Sequence, residues 1–217
     1  LVYGAAILSA FRSRYGAQDV EITRREHNFR GYFSLETLTL RHRLFEGGWS
    51  APMRRELFQR GDAVGVLPWD PVRDELVLVE QFRVGAIRDG DTPWMLELIA
   101  GIIEAGESDA AVVHREAEEE AGCRLGRLKR IATFYPSAGA CSEQIRLFIG
   151  EVKQAQPGTI QGLDTEHEDI LVHQLPRIQV MEMLDRDEIN NGHTLIALQW
   201  LARHGDELRQ QWRLDEH

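Results

Sequence analysis

One stretch, Gly101 to Cys123 (GIIEAGESDAAVVHREAEEEAGC), limits this chain more than any other, because it asks for a turn, a capped helix and a neutralising cation together. The pattern predicts a helix over Asp109 to Ala121. Ser108 stands ready as its N-cap and Gly122 as the left-handed residue that ends it. At about 100° per residue, Ala110, Val113, Ala117 and Ala121 share one stripe, and Glu116, Glu119 and Glu120 share the next arc. Glutamates three and four apart repel by a few tenths of a kcal/mol per pair unless positive charge lies between them. Hard divalent cations favour such oxygen donors. A bare cluster of this kind is more often a solvated helix face, so the reading depends on what surrounds it.

The composition narrows the alternatives. A chain of 217 residues, 43% of them hydrophobic, can bury a core as one large domain or as one domain plus a small one. A formal charge of −10 with no basic stripe argues against a nucleic-acid surface, so any phosphate must be met by metal or by local arginines. Two cysteines, Cys123 and Cys141, form neither a disulfide framework nor a zinc spacing and suit a reducing cytoplasm. No apolar run approaches a membrane span. The opening LVYGAAILSAF has its arginines, Arg12 and Arg14, behind it, the reverse of a secretory signal, and is expected to be an amphipathic or disordered lead-in.

Strand signals fill most of the rest. VEITRRE and YFSLETLTLRHRLF alternate and close at Gly47-Gly48, and PMRRELFQRG continues a small antiparallel sheet. AVGVLPW and ELVLVEQFR flank the DPVRD turn as a hairpin of the central sheet. After the acidic helix come two further long strands, an acidic loop GTIQGLDTEHEDI, a short strand ILVHQL and two helices. The last helix carries Leu195, Leu198, Leu201 and Leu208 at near-helical spacing. Mixed strands with few helices predict an α+β chain or a three-layer αβα sandwich.

Gly101, Glu107, Arg115, Glu116, Glu119, Glu120 and Gly122 reproduce the spacing of the Nudix hydrolase signature. Seven fixed positions match by chance on the order of once in a million windows or less. Ala117 and Cys123 take its aliphatic places. With TFYPSAGACSEQ, the loop Asp164 to Asp169 and the strand-rich N-terminus, residues 19 to 205 resemble the ADP-ribose pyrophosphatase branch of that family. The resemblance implies an αβα sandwich over residues 61–217, preceded by a small N-terminal antiparallel β-domain, 19–60, that is exchanged in a homodimer; residues 1–18 remain a lead-in.

The same resemblance assigns roles. It implies two or three Mg2+ ions per site, with Mn2+ as an alternative, held by the backbone carbonyl of Ala100 and by Glu116, Glu120 and Glu168. Glu166 would be the general base, although the sequence does not separate it from Glu168. Gly101, Glu107, Arg115, Glu119 and Gly122 would support the motif, Glu107 pairing with Arg115. Arg55, Glu56, Arg60, Arg83, Ile102 and Glu143 match substrate-contacting positions, and Tyr32 and Phe33 match an adenine-contacting segment given by the partner subunit. Glu97 is a strand-end residue that either lines the site or is surface. The chain departs from the branch at Ser137-Ala138-Gly139, where Ser-Pro-Gly is usual, the proline standing instead at Pro136. The expected reaction is hydrolysis of ADP-ribose to AMP and ribose 5-phosphate. Another nucleoside diphosphate sugar such as GDP-mannose, and a non-catalytic ADP-ribose sensor, are the competing readings.

Overall fold

The computed structural model describes residues 12–88, 90 and 92–214, with Glu166 described by its backbone alone. Residues 1–11 of the expected lead-in lie outside the described residues. The chain divides into two compact units, one formed by residues up to Arg60 with Gly139–Cys141, the other by Gly61–Ala138 and the residues from Ser142 on.

In the first unit the alternating stretches form three antiparallel strands, β1 (Val20–Arg30), β2 (Ser34–His42) and β3 (Met53–Gln59), in the order β1-β2-β3. As the central strand, β2 carries the buried residues Glu36, Thr37 and Leu38. The Glu36 carboxylate is matched there by Arg25, His27 and Gln59. Gly47 and Gly48 turn the chain towards β3 at φ of 98° and 77°, backbone that side chains with a Cβ rarely adopt. The Phe58 N–H donates to the Ala140 carbonyl at 2.7 Å, which joins Gly139–Cys141 to this unit.

The second unit is built on one mixed sheet. It contains β4 (Ala63–Asp70), β5 (Glu75–Phe82), β6 (Trp94–Glu97), β7 (Ile99–Ile102), β8 (Arg124–Phe134), β9 (Ile145–Gln154), β10 (Ile160–Gln161) and β11 (Ile170–Pro176). The order is β10-β11-β5-β4-β9-β8, with β6 beside β5 and β7 beside β4; β4 and β9 are the parallel pair. The DPVRD turn is closed by Asp70 Oδ1, which accepts from the N–H groups of Val72 and Arg73, and by Asp74 in the left-handed region.

The two-residue period of the strands sorts their side chains into two cores. Leu67, Trp69, Leu76, Leu78, Leu147 and Ile149 meet Val180 of α2 (Arg177–Asp185) and Leu198, Leu201, Leu208 and Trp212 of α3 (Gly192–Leu214). Val64, Val66, Val77, Val79, Phe148 and Val172 face the opposite way, against Val112, Val113, Ala117 and Ala121 of α1 (Asp109–Ala121). The sheet is thus a layer between helices, an αβα sandwich. Among the described residues no helix is long and apolar enough to cross a membrane.

The end of α3 is fastened by charge. Arg127 donates to both Glu151 oxygens, at 2.8 and 2.7 Å, and to the Trp212 carbonyl, while Lys153 reaches Glu151 at 2.7 Å. Burial alone raises the Glu151 carboxyl, but these hydrogen bonds outweigh it and hold it at about 2. Because the folded value lies below the ordinary one, the stabilisation is complete above about pH 4.5 and is lost as pH falls towards 2. Glu151→Gln should therefore cost about 2 kcal/mol near neutrality, allowing for solvent screening of Arg127 and Lys153. Urea unfolding of the two proteins at neutral pH and at about pH 2.5 should show the difference shrinking with acid.

Candidate active site

The site is assembled on α1 and on the strand and loop beside it. Ser108 Oγ accepts from the Ala111 N–H at 3.3 Å and caps the helix start. Gly122 ends it at φ 51°, and the N–H groups of Gly122 and Cys123 return to the carbonyls of Glu118 and Ala117. The packed stripe differs from the expected one at a single position. Ala110 is exposed and Val112 is buried, so the inward arc is centred nearer Val112 and Val113. That rotation carries Glu120 inward as well, leaving it 3% exposed.

Glu120 and Glu116 sit against β7. The Ala100 N–H donates to Glu120 Oε2 at 3.2 Å. Gly101 leaves room for Glu116: a Cβ on Gly101 would lie 1.8 Å from Glu116 Oε1 and 2.0 Å from its Cδ. Gly101→Ala should therefore rotate Glu116 out of place, since the end of a charged side chain yields more easily than a strand. Turnover is expected to fall about 100-fold, with the melting temperature within a few degrees of wild type. Steady-state kinetics and a thermal melt on the same preparation check both halves.

The motif arginine is shared among three acids. Arg115 makes a two-point contact with Glu107, Nε to Oε1 at 3.1 Å and Nη2 to Oε2 at 3.2 Å. Its Nη1 donates to Glu116 at 2.8 Å and to Glu119 at 3.1 Å. Glu107 also accepts from the Glu104 N–H, and the Arg115 hydrogen bonds hold its carboxyl below the usual range. Loop and helix are joined through this pair.

The acidic loop reaches the same end of α1. The Gly162 N–H donates to the Glu119 carbonyl at 3.1 Å, and Glu168 Oε2 accepts from the Leu163 N–H at 3.2 Å. Gly162 has φ 104°, and a Cβ there would meet the Glu168 Cβ at 2.7 Å, so only glycine fits this turn. The Glu166 backbone ends a short 3-10 turn, Asp164–Glu166, with His167 left-handed after it; its side chain lies outside the described residues.

The electrostatics are those of excess negative charge. Burial first, and then the Glu116 charge, push the Glu120 carboxyl up to about 8; Glu168 adds to the shift and Arg83 opposes it. Burial also raises Glu116 against the pull of Arg115, with Glu119 and Glu168 contributing. Among the described residues no three His, Cys, Asp or Glu side chains already close around one point. The donor chemistry nevertheless fits a hard divalent cation, because the donors are oxygens only, Glu120 is buried, and the charges of Glu116 and Glu168 raise it further.

The remaining sequence-predicted residues fall into two groups. Arg83, Ile102 and the buried Glu143 lie in the second unit. Arg83 Nε donates to Glu97 at 2.7 Å, and Glu97 is a buried residue, not a surface one. Tyr32, Phe33, Arg55, Glu56 and Arg60 lie in the first unit. Tyr32 is 85% exposed and sits edge-on to Phe33, over which the Arg60 guanidinium lies at 5.3 Å. Arg55 and Glu56 are exposed on β3, and Arg55 donates to the Arg54 carbonyl. Sequence reasoning missed Asn191 and Thr194, which continue the polar network from Glu97. The sequence signal was an asparagine just ahead of a helix with a threonine three residues on.

Comparison with known proteins agrees with this architecture. The NUDIX domain profile matches residues 59–197. A curated ADP-ribose pyrophosphatase of Escherichia coli K12 is 46% identical over 198 residues, covering 91% of this chain and 95% of its own. A GDP-mannose pyrophosphatase of Escherichia coli O1:K1 / APEC is 32% identical over 149 residues, 68% of this chain and 77% of its own. The crystal structure of an ADP compounds hydrolase shares the fold, with a TM-score of 0.65 at 23% identity, covering 88% of this chain and 98% of that one. On the strength of the profile match and of 46% identity across nearly its whole length, the chain belongs to the NUDIX family.

Proposed function

We propose that this protein hydrolyses the pyrophosphate link of ADP-ribose to AMP and ribose 5-phosphate. The observation that carries this reading is the pair Glu116 and Glu120 on the motif helix: Glu120 is buried and raised by burial and by the Glu116 charge against the pull of Arg83, and the half-buried Glu116 is raised by burial although Arg115 donates to it. Such a pair calls for a cation, and the cation calls for phosphate.

In this reading Glu116, Glu120, Glu168 and the Ala100 carbonyl hold two or three Mg2+ ions, with Mn2+ able to replace them. When bound, these ions neutralise the pyrophosphate charge and lower the pKa of a coordinated water. Glu166 takes the proton from the attacking water, on a loop whose turn at Gly162 is fastened to α1. Arg83 meets a phosphate oxygen through the guanidinium nitrogens that Glu97 leaves unoccupied. The water oxygen forms a bond to one phosphorus as its proton passes to Glu166, the bond from that phosphorus to the bridging oxygen breaks, and the electron pair leaves with that oxygen. Ile102 and Glu143 help position the ligand.

Residues 19–60 serve as the dimerisation and substrate domain, exchanged between two subunits, and residues 61–217 as the catalytic domain. Tyr32 and Phe33 would contact the adenine with their rings, with Arg55, Glu56 and Arg60 as further substrate contacts. The free Cys123 and Cys141 support a reducing, cytoplasmic location.

The 32% identity to a GDP-mannose pyrophosphatase favours one second reading, a different nucleoside diphosphate sugar acted on by the same carboxylates. Comparing kcat/KM for ADP-ribose, ADP-glucose and GDP-mannose tests the assignment. ADP-ribose should lead by about tenfold or more; a lead by GDP-mannose would transfer the substrate and leave the chemistry.

A further inference from the structure

We propose that Asn191 is a positioning residue for this hydrolysis, acting through Glu97 to hold Arg83 beside the carboxylates of α1; the inference rests on the reaction proposed above.

Glu97 closes β6 and is 1% exposed. Its two oxygens have separate tasks. Oε2 accepts from Arg83 Nε at 2.7 Å, and Oε1 accepts from Asn191 Nδ2 at 2.5 Å. Arg83 is fixed at its other end too, because its backbone N–H donates to the Pro93 carbonyl at 2.8 Å. Among the described residues its terminal nitrogens have no partner, and its charge acts on Glu120. A guanidinium held at Nε and at the backbone is a planar donor of set direction.

Asn191 itself has no rotational choice. Its Oδ1 accepts from the Thr194 N–H at 3.1 Å and from Thr194 Oγ1 at 2.9 Å, capping α3. Thr194 Oγ1 in turn accepts from the Leu98 N–H at 3.0 Å, which ties the helix start to the chain between β6 and β7. With the oxygen committed to Thr194, the amide nitrogen must face Glu97. A cap needs only the oxygen, and aspartate or serine would cap α3 as well as asparagine. The NH2 group therefore serves Glu97, and capping alone does not explain it.

The distinction gives the test. Asn191→Ser keeps a capping oxygen and removes the donor to Glu97; Asn191→Asp keeps the cap and places a second anion against Glu97. Both should melt as cooperatively as wild type, and if the aspartate variant does not fold the serine variant answers alone. kcat/KM for ADP-ribose should fall roughly 10- to 100-fold, the loss expected when a group that orients a functional side chain is removed. In an Arg83→Ala background, Asn191→Ser should change kcat/KM by less than about twofold, because its route is already cut. Full additivity of the two losses would overturn the proposal, as would an unchanged kcat/KM in the single variant.

A second readout is independent of substrate. The Arg83 Nε–H, followed by 1H–15N NMR, should exchange slowly in wild type and rapidly in Asn191→Ser. Equal exchange in the two proteins would overturn the brace. Should wild type fail to turn over ADP-ribose while the Nε–H behaves as expected, the substrate reading would fall and the Asn191-Glu97-Arg83 connection would stand.

Discussion

Glu120→Gln is expected to lower ADP-ribose turnover by about a thousandfold or more at saturating Mg2+ while leaving the fold intact. The substitution keeps the volume of a side chain buried against β7 and keeps an oxygen to accept from the Ala100 N–H. What it removes is the charge. In the metal-free protein that removal should stabilise. The Glu120 carboxyl is raised in the folded state to about 8 from an ordinary 4.5, so its ionisation opposes folding increasingly as pH rises between those values. The variant lacks this cost and should melt at or above wild type, with its advantage growing from about pH 5 to pH 8. Added Mg2+ reverses the order. A cation at about 100 times its Kd stabilises wild type by about 2.7 kcal/mol and should do little for a variant that binds it weakly. Melting curves across pH, with and without Mg2+, together with kcat, check both parts. Wild-type turnover by Glu120→Gln would remove Glu120 from the ligand set.

The second large effect lies in the acidic loop. Glu166→Gln should reduce kcat about a thousandfold with little change in the Mg2+ concentration for half-maximal rate, as expected on losing a general base. Glu168→Gln should reduce kcat less, about tenfold to a hundredfold, and raise that Mg2+ requirement several-fold. The difference follows from the roles proposed for the two residues. Glu168 acts electrostatically on Glu116 and Glu120 and is held by the Leu163 N–H, as a ligand would be. Glu166 ends the turn that His167 closes. Kinetics at several Mg2+ concentrations separate the two, and the opposite ranking would exchange their roles.

Local features were legible in the sequence and distant ones were not. The helix Asp109–Ala121 with its caps Ser108 and Gly122 follows from side-chain chemistry within four residues, and it folds as read. Helical spacing alone misplaced Ala110, because the sheet beneath α1 and not the helix decides which arc turns inward. The Glu107-Arg115 pair was legible, being eight residues apart within one motif. The Glu97-Asn191 bond joins residues 94 apart and could not be read, because it exists only once α3 has packed against the sheet. For the same reason Ala140 gave no sign of its hydrogen bond to Phe58. Alternation placed the strands of the first unit, and apolar runs placed β4 and β5 of the second, but the short strands β6, β7 and β10 were not legible, because two to four residues carry too little pattern and are strands only through their pairing with β5, β4 and β11.

The most direct measurement of the central claim is product identification from ADP-ribose incubated with wild-type protein, with Mg2+ present and with Mg2+ removed by chelation. The carboxylate cluster of α1 predicts AMP and ribose 5-phosphate in equal amounts with the metal, and no turnover above background without it. Equal turnover in both conditions, or none in either, would contradict it.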